Sequence, residues 1–210
     1  MQQAVQRASD TRAIDSVPSQ QAQRRKTRAY NKLYQAIRAG HGQGHGAAYQ
    51  PWLQLRRKNS SPDSNQVVSW MPLLNRPAHY LSRGEYQTAL LLLWLDVSDL
   101  REQYPIWPFF HPHPLHGAPE ADGLAYRFTQ GLLSIAQAAG IDHGEEIGSG
   151  LPYVATLDFL ITIPGKQGPR LAIFSSKPVS EGDDMPKWRM LERLELERRY
   201  AEEISAQVRL

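Results

Sequence analysis

The order of elements along the chain predicts a mixed α/β fold built on a central sheet. Two observations carry most of that expectation. The stretch "LDFLITIPGKQGPRLAIFSSKP", residues 157 to 178, sets two apolar runs on either side of a Pro/Gly-rich turn, which reads as a strand hairpin. On both sides of it lie segments with helical periodicity, giving the order helix, strand, helix, strand, strand, helix. With 210 residues and a 41% apolar share, the chain holds one ordinary domain plus extensions.

Taken in order, residues 1 to 23 are rich in Gln, Ser and Ala and read as disordered. "RRKTRAYNKLYQAIRA", Arg24 to Ala39, predicts a short basic helix with Tyr30, Leu33, Tyr34 and Ile37 at helical spacing. "GHGQGHG" up to Gly46 breaks it and reads as a linker, so residues 1–46 form a basic, partly disordered arm. "QVVSWMPLL" predicts a short strand. "SRGEYQTALLLLWLD" predicts a helix, with Ser82 and Glu85 at capping-box spacing and apolar residues almost all round, as in a core helix. "VSDLREQYPI" alternates as a strand does, and the Pro/His segment 105–119 reads as a surface loop. "AYRFTQGLLSIAQAAG" predicts a helix stopped at Gly140. A long charged helix is expected from Pro186 to about Val208.

Composition removes several classes. The absence of cysteine excludes a disulfide framework and thiolate metal sites, and suits a reducing cytoplasm. A polar start after Met1 lacks a signal peptide, and the longest apolar run, Ala89 to Leu95, falls far short of the roughly 20 residues of a membrane span. A soluble cytoplasmic protein without membrane contact is expected. Net charge is +3, but the first 60 residues carry +9 and the remaining 150 carry −6. A basic arm on a mildly acidic body favours a polyanion such as DNA; a solubilising tail is the plainer alternative.

Three polar residues sit where an apolar pattern does not need them. Glu85 lies in the first turn of its helix, Asp158 early in one hairpin strand and Lys177 late in the next. With the turn at 165–168, residue 158 falls opposite residue 175, so Asp158, Ser175 and Lys177 are expected to converge at one end of the sheet. Neighbouring carboxylates repel unless a proton or a divalent cation lies between them. Hard oxygen donors suit Mg²⁺, with Mn²⁺ able to substitute, and a Lys beside such an ion orients attacking water and stabilises charge at phosphorus. The competing reading is structural, with Asp158 and Lys177 an ion pair closing the hairpin and Glu85 a helix cap. His111, His113 and His116 in "HPHPLH" offer a rival transition-metal cluster, but the prolines throw alternate side chains apart. His41 and His45 read as linker residues.

"YQPWLQLRRKNSS", "LSRGEYQTALLLLWLDVSDLREQYPI", "TLDFLI" and "KPVSEGDDMPKWRMLERLELERRY" resemble successive motifs of the TnsA family, endonuclease subunits of TnsA/TnsB transposases, including those of RNA-guided transposons. The most specific piece is Asp99 to Pro105, close to D-I-R-E-Q-[FY]-P. The resemblance implies a restriction-endonuclease-like fold of the PD-(D/E)xK type, with a mixed sheet flanked by helices over residues 47–180. It implies Mg²⁺-dependent hydrolysis at the 5′ end of the non-transferred strand at transposon ends. Partners would be double-stranded end DNA, the TnsB transposase, the TnsC ATPase and, in some systems, an RNA-guided targeting complex. The family's acids and lysine fall on Glu85, Asp158 and Lys177, with Ser175 and the Ser176 backbone as further metal contacts. Ser175 stands where the family has Gln, a departure, and Glu102 is read as structural. Residues 181–210 are expected to be a helical extension, a remnant of or replacement for the family's winged-helix domain, so DNA contact is expected from Arg24, Arg25, Lys26 and Arg28, and from Arg56, Arg57 and Lys58. Two alternatives stay open: an architectural subunit with a decayed site, or a stand-alone restriction or repair nuclease of the same fold.

Overall fold

The computed structural model describes residues 20–55, 65–121, 128–175 and 188–209. The elements in chain order are α1 (Gln20–Arg38), β1 (Val67–Met71), β2 (Arg76–Tyr80), α2 (Arg83–Trp94), β3 (Asp99–Ile106), β4 (His111–Pro112), β5 (Phe128–Thr129), α3 (Leu132–Ala139), β6 (Ala155–Ile163), β7 (Arg170–Phe174), α4 (Trp188–Glu203) and β8 (Gln207–Arg209). The result is an α/β architecture with a mixed sheet, compatible with the expected fold.

The central sheet runs β3-β6-β7-β8. β3, β6 and β7 are antiparallel neighbours, and β8 joins β7 in parallel after the α4 crossover. Each sheet face has its own core. On one side Leu157, Leu160, Leu171 and Ile173 pack with Leu132 and Ile135 of α3 and Leu196 and Tyr200 of α4. On the other, Leu100, Phe159, Ile161 and Ala172 pack with Ala89, Leu92 and Leu93 of α2 and with Met71, Ala78 and Tyr80 of the β1–β2 hairpin.

Several expectations are corrected. β2 was not anticipated; it pairs with β1 in a hairpin from Val67↔Tyr80 to Met71↔Arg76. Within the described residues, the helix expected over "AYRFTQGLLSIAQAAG" is α3, which starts at Leu132, because Phe128 and Thr129 pair with β4 in a short ladder. The last helix ends at Glu203 and not near Val208, since the chain turns to form β8; its expected start, Pro186, lies outside the described residues. α2 is not wholly core, for Leu90, Leu91, Trp94 and Leu95 face outward at 44%, 55%, 79% and 59% exposure.

The Gly/His run is an ordered joint rather than a linker. The Gln43 side-chain amide donates to the Ile37 carbonyl at 2.7 Å, and the His41 amide reaches back to the Ala36 carbonyl, closing the end of α1. Gln43 and Gln50 form a bridge, and the Gly42 amide donates to the Gln50 carbonyl at 2.6 Å. Gly42 has φ +72°, and a Cβ there would stand 2.3 Å from Pro105 Cγ, so only glycine fits against β3. His45 lies with its Nδ1 3.6 Å from Asp99 Oδ2 and its Nε2 3.0 Å from the His116 carbonyl.

Candidate active site

Glu85 owes its position to its helix start. Ser82 is extended, and its hydroxyl accepts a hydrogen bond from the Glu85 amide at 3.1 Å, the cap that the spacing predicted. The Glu85 side chain folds back, and its Oε2 accepts from the Leu81 amide at 2.9 Å. The same oxygen accepts from Gln103 Nε2 at 3.0 Å. The residue is 6% exposed. Burial pushes its carboxyl above the ordinary range, the Leu81 bond opposes the rise, the negative charge of Asp158 adds to it, and Gln103 and Ser82 pull it back.

Asp158 is half-buried on β6. The pairs Glu102↔Phe159 and Tyr104↔Leu157 set it opposite Gln103. Its negative charge is felt at Glu85, and its strand position lies beside the residue that bonds Glu85. Thr156, two residues before it, donates a long 3.5 Å hydrogen bond to Gln103 Oε1. Gln103, 1% exposed, thus ties the Glu85 helix to the Asp158 strand. Sequence reading passes over it; its only mark is an amide inside a strand whose eight residues are all buried.

On the facing strand, Phe159↔Phe174 continues to put residue 175 opposite residue 158, as the hairpin reading expects. Ser175 does not turn to Glu85, however. Its hydroxyl donates to Glu197 Oε2 of α4 at 3.0 Å, in line with Leu171 and Ile173 on the α4 side. Parity explains the difference: position 175 alternates with Phe174, which packs toward α2. Lys177, Ser176, Arg56, Arg57 and Lys58 lie outside the described residues.

The remaining predicted residues are placed plainly. Glu102 is fully buried, and both its carboxylate oxygens accept from Arg76, at 2.8 and 2.7 Å. His111 is buried rather than on a surface loop, its Nε2 3.1 Å from the Tyr200 hydroxyl and 2.9 Å from Thr129 Oγ1. His113 accepts from the Leu115 amide and approaches the Ile204 carbonyl. Burial holds both imidazoles below their ordinary range. Among the described residues no group of three or more His, Asp or Glu side chains is arranged to hold a metal. Arg24, Arg25, Lys26 and Arg28 stand on α1, which has no buried residue. No helix among the described residues is long and apolar enough to cross a membrane.

Two hard oxygen donors, one on a helix start and one on a strand, fit an ion that keeps much of its water. Both hydrogen bonds to Glu85 fall on Oε2. No protein-family model matches the chain. The chain is 34% identical over 172 residues to the transposon Tn7 transposition protein TnsA of Escherichia coli, an alignment covering 80% of this chain and 52% of that protein. The chain is TnsA-like. It spans about half the length of that TnsA.

Proposed function

We propose that the chain is the DNA endonuclease subunit of a Tn7-type transposase, hydrolysing the phosphodiester at the 5′ end of the non-transferred strand at transposon ends. A TnsB-type transposase cuts the other strand and a TnsC-type ATPase regulates the assembly. The observation that carries this reading is the Glu85–Gln103–Thr156 hydrogen-bond chain, which ties the helix carboxylate to the strand that holds Asp158 opposite Gln103. The likeness to TnsA supports it, and so does the order α2, β3, β6, β7, α4, β8, which suits a PD-(D/E)xK domain.

In this reading Glu85 and Asp158 hold Mg²⁺, or Mn²⁺ in its place, and the ion would neutralise charge building on the scissile phosphate. Glu85 enters with its orientation already set by Leu81 and Gln103, so little ordering is left for the moment of binding. Lys177 is assigned to orient the attacking water. Ser175 and the Ser176 backbone are the weakest part of the ligand set, since the Ser175 hydroxyl is engaged by Glu197. Arg24, Arg25, Lys26 and Arg28 of α1, with Arg56, Arg57 and Lys58, take the phosphate backbone of end DNA. Asp158→Ala should abolish 5′-strand nicking of end-containing DNA in the presence of the partner transposase while the protein stays folded. Persistence of that nicking sinks the assignment.

The engaged Ser175 favours one second reading, an architectural subunit that bridges DNA and transposase without cutting. Calorimetry with Mg²⁺ or Mn²⁺ on wild type and Glu85→Gln separates the two. Binding heat lost in the variant supports the nuclease, and no heat in either supports the bridge.

A further inference from the structure

β3 contains a backbone irregularity that a buried strand has no structural need of. Gln103 sits at φ +48°, in the left-handed region, in mid-strand. Residues with a Cβ rarely stay there unless surrounding structure holds them. The consequence is visible in the side chains. Leu100 packs toward α2, Arg101 points away to the Pro114 carbonyl, and Glu102 returns to Arg76 of β2. Strict alternation would send Gln103 away again and bring Tyr104 back. Instead Gln103 also points to the α2 side, and Tyr104 joins the α3–α4 core.

We infer that Gln103 is a positioning residue for the proposed metal site, and that its left-handed backbone is the device that delivers its amide to Glu85. The inference rests on the nuclease reading of Glu85 and Asp158 and deepens it. Three bonds hold the residue in this state. Its carbonyl accepts from the Trp52 amide at 3.2 Å, its Nε2 donates to Glu85 Oε2 at 3.0 Å, and its Oε1 accepts from Thr156. The amide therefore holds Glu85 Oε2 in place and with it the rotamer of the carboxylate. It also links the helix that carries one carboxylate to the strand that carries the other. Gln103 touches neither metal nor substrate; it acts through Glu85.

Replacement can separate the backbone from the amide. Gln103→Asn and Gln103→Gly both accept positive φ readily, but the first is one methylene too short to reach Glu85 and the second has no amide. In the intact chain, both should still melt cooperatively, somewhat below the wild-type temperature because a buried amide loses its partners. Calorimetric titration with Mn²⁺ should show at least a tenfold weaker dissociation constant in both. Excess Mg²⁺ should restore nicking by Gln103→Asn but not by Glu85→Gln, because the first misplaces a ligand and the second removes its charge. Wild-type Mn²⁺ affinity in the two Gln103 variants overturns the inference while the nuclease reading survives. So does loss of the cooperative melt in both, which would make Gln103 a residue the fold itself requires. Undiminished Mn²⁺ binding by Glu85→Gln, or none by wild type, overturns the nuclease reading and this inference with it.

Discussion

β3 and α1 invert the usual relation between polarity and burial. All eight residues of β3 are buried although Asp99, Arg101, Glu102 and Gln103 are charged or amide-bearing. α1 buries none of its 19 residues although it carries Tyr30, Leu33, Tyr34 and Ile37. Partners make the difference. Each polar side chain of β3 meets an answering group: Arg76 for Glu102, Glu85 for Gln103, the Gly46 amide for Asp99, the Pro114 carbonyl for Arg101. On α1, Tyr30 and Tyr34 stack on each other at 6.5 Å. A strand full of charge is core when its charges are answered, and a helix with an aromatic stripe is surface where no described residue buries it.

The sharpest way to break the contrast is to remove one of those answers. Arg76→Ala strands the Glu102 carboxylate in a fully buried site and should cost about 3–5 kcal/mol in urea unfolding. The joint between the two regions comes next. Gly42→Ala drives a methyl group into Pro105 from a left-handed backbone, and about 2–3 kcal/mol of lost stability is expected by the same measurement. Ser82→Ala removes the cap over Glu85 and should cost about 1 kcal/mol.

A subtler effect follows from the Glu85 carboxyl. Burial raises its pKa in the folded state above the ordinary 4.5, so the native protein binds its proton more tightly than the unfolded chain does. Its contribution to stability is present below pH 4.5 and is lost as pH rises through the folded value. Glu85→Gln should therefore gain melting temperature relative to wild type at neutral pH, and the gain should shrink as pH falls toward 4. The smallest stability change belongs to α1. Arg28→Ala should shift unfolding by less than about 0.5 kcal/mol. The same change should weaken binding to duplex DNA and lower the salt slope by about 0.9, the share of one phosphate contact. An unchanged slope would place that face of α1 away from DNA.

What was legible in the sequence was mainly local. The Ser82–Glu85 cap, the β6–β7 hairpin and its register depend on residues close along the chain, and spacing alone indicates them. β5 and β8 escaped because each exists through a distant partner, while β2 escaped because "RPAHY", with its Arg, Pro and His, lacks the apolar pattern of a strand although its partner β1 lies one turn away. The Gly/His run reads as a linker because its order depends on Gln50 and Pro105. In the site, Glu85 and Asp158 were legible as polar residues in apolar company. Gln103 was not, since nothing in a run of letters reports a left-handed φ. The bond from Ser175 to Glu197 was not legible either, because its acceptor arrives from a helix 22 residues further on.

β8 has a role beyond extending the sheet. Ala172, Ile173 and Phe174 have it alongside them, so the flank of β7 opposite β6 is closed by a strand only three residues long. Were that seal prised off, the exposed main chain of β7 would become a template for another molecule's strand. Guarding against self-association thus falls to the segment that follows α4, and whatever tugs on it tugs on the strand that leads into Ser175.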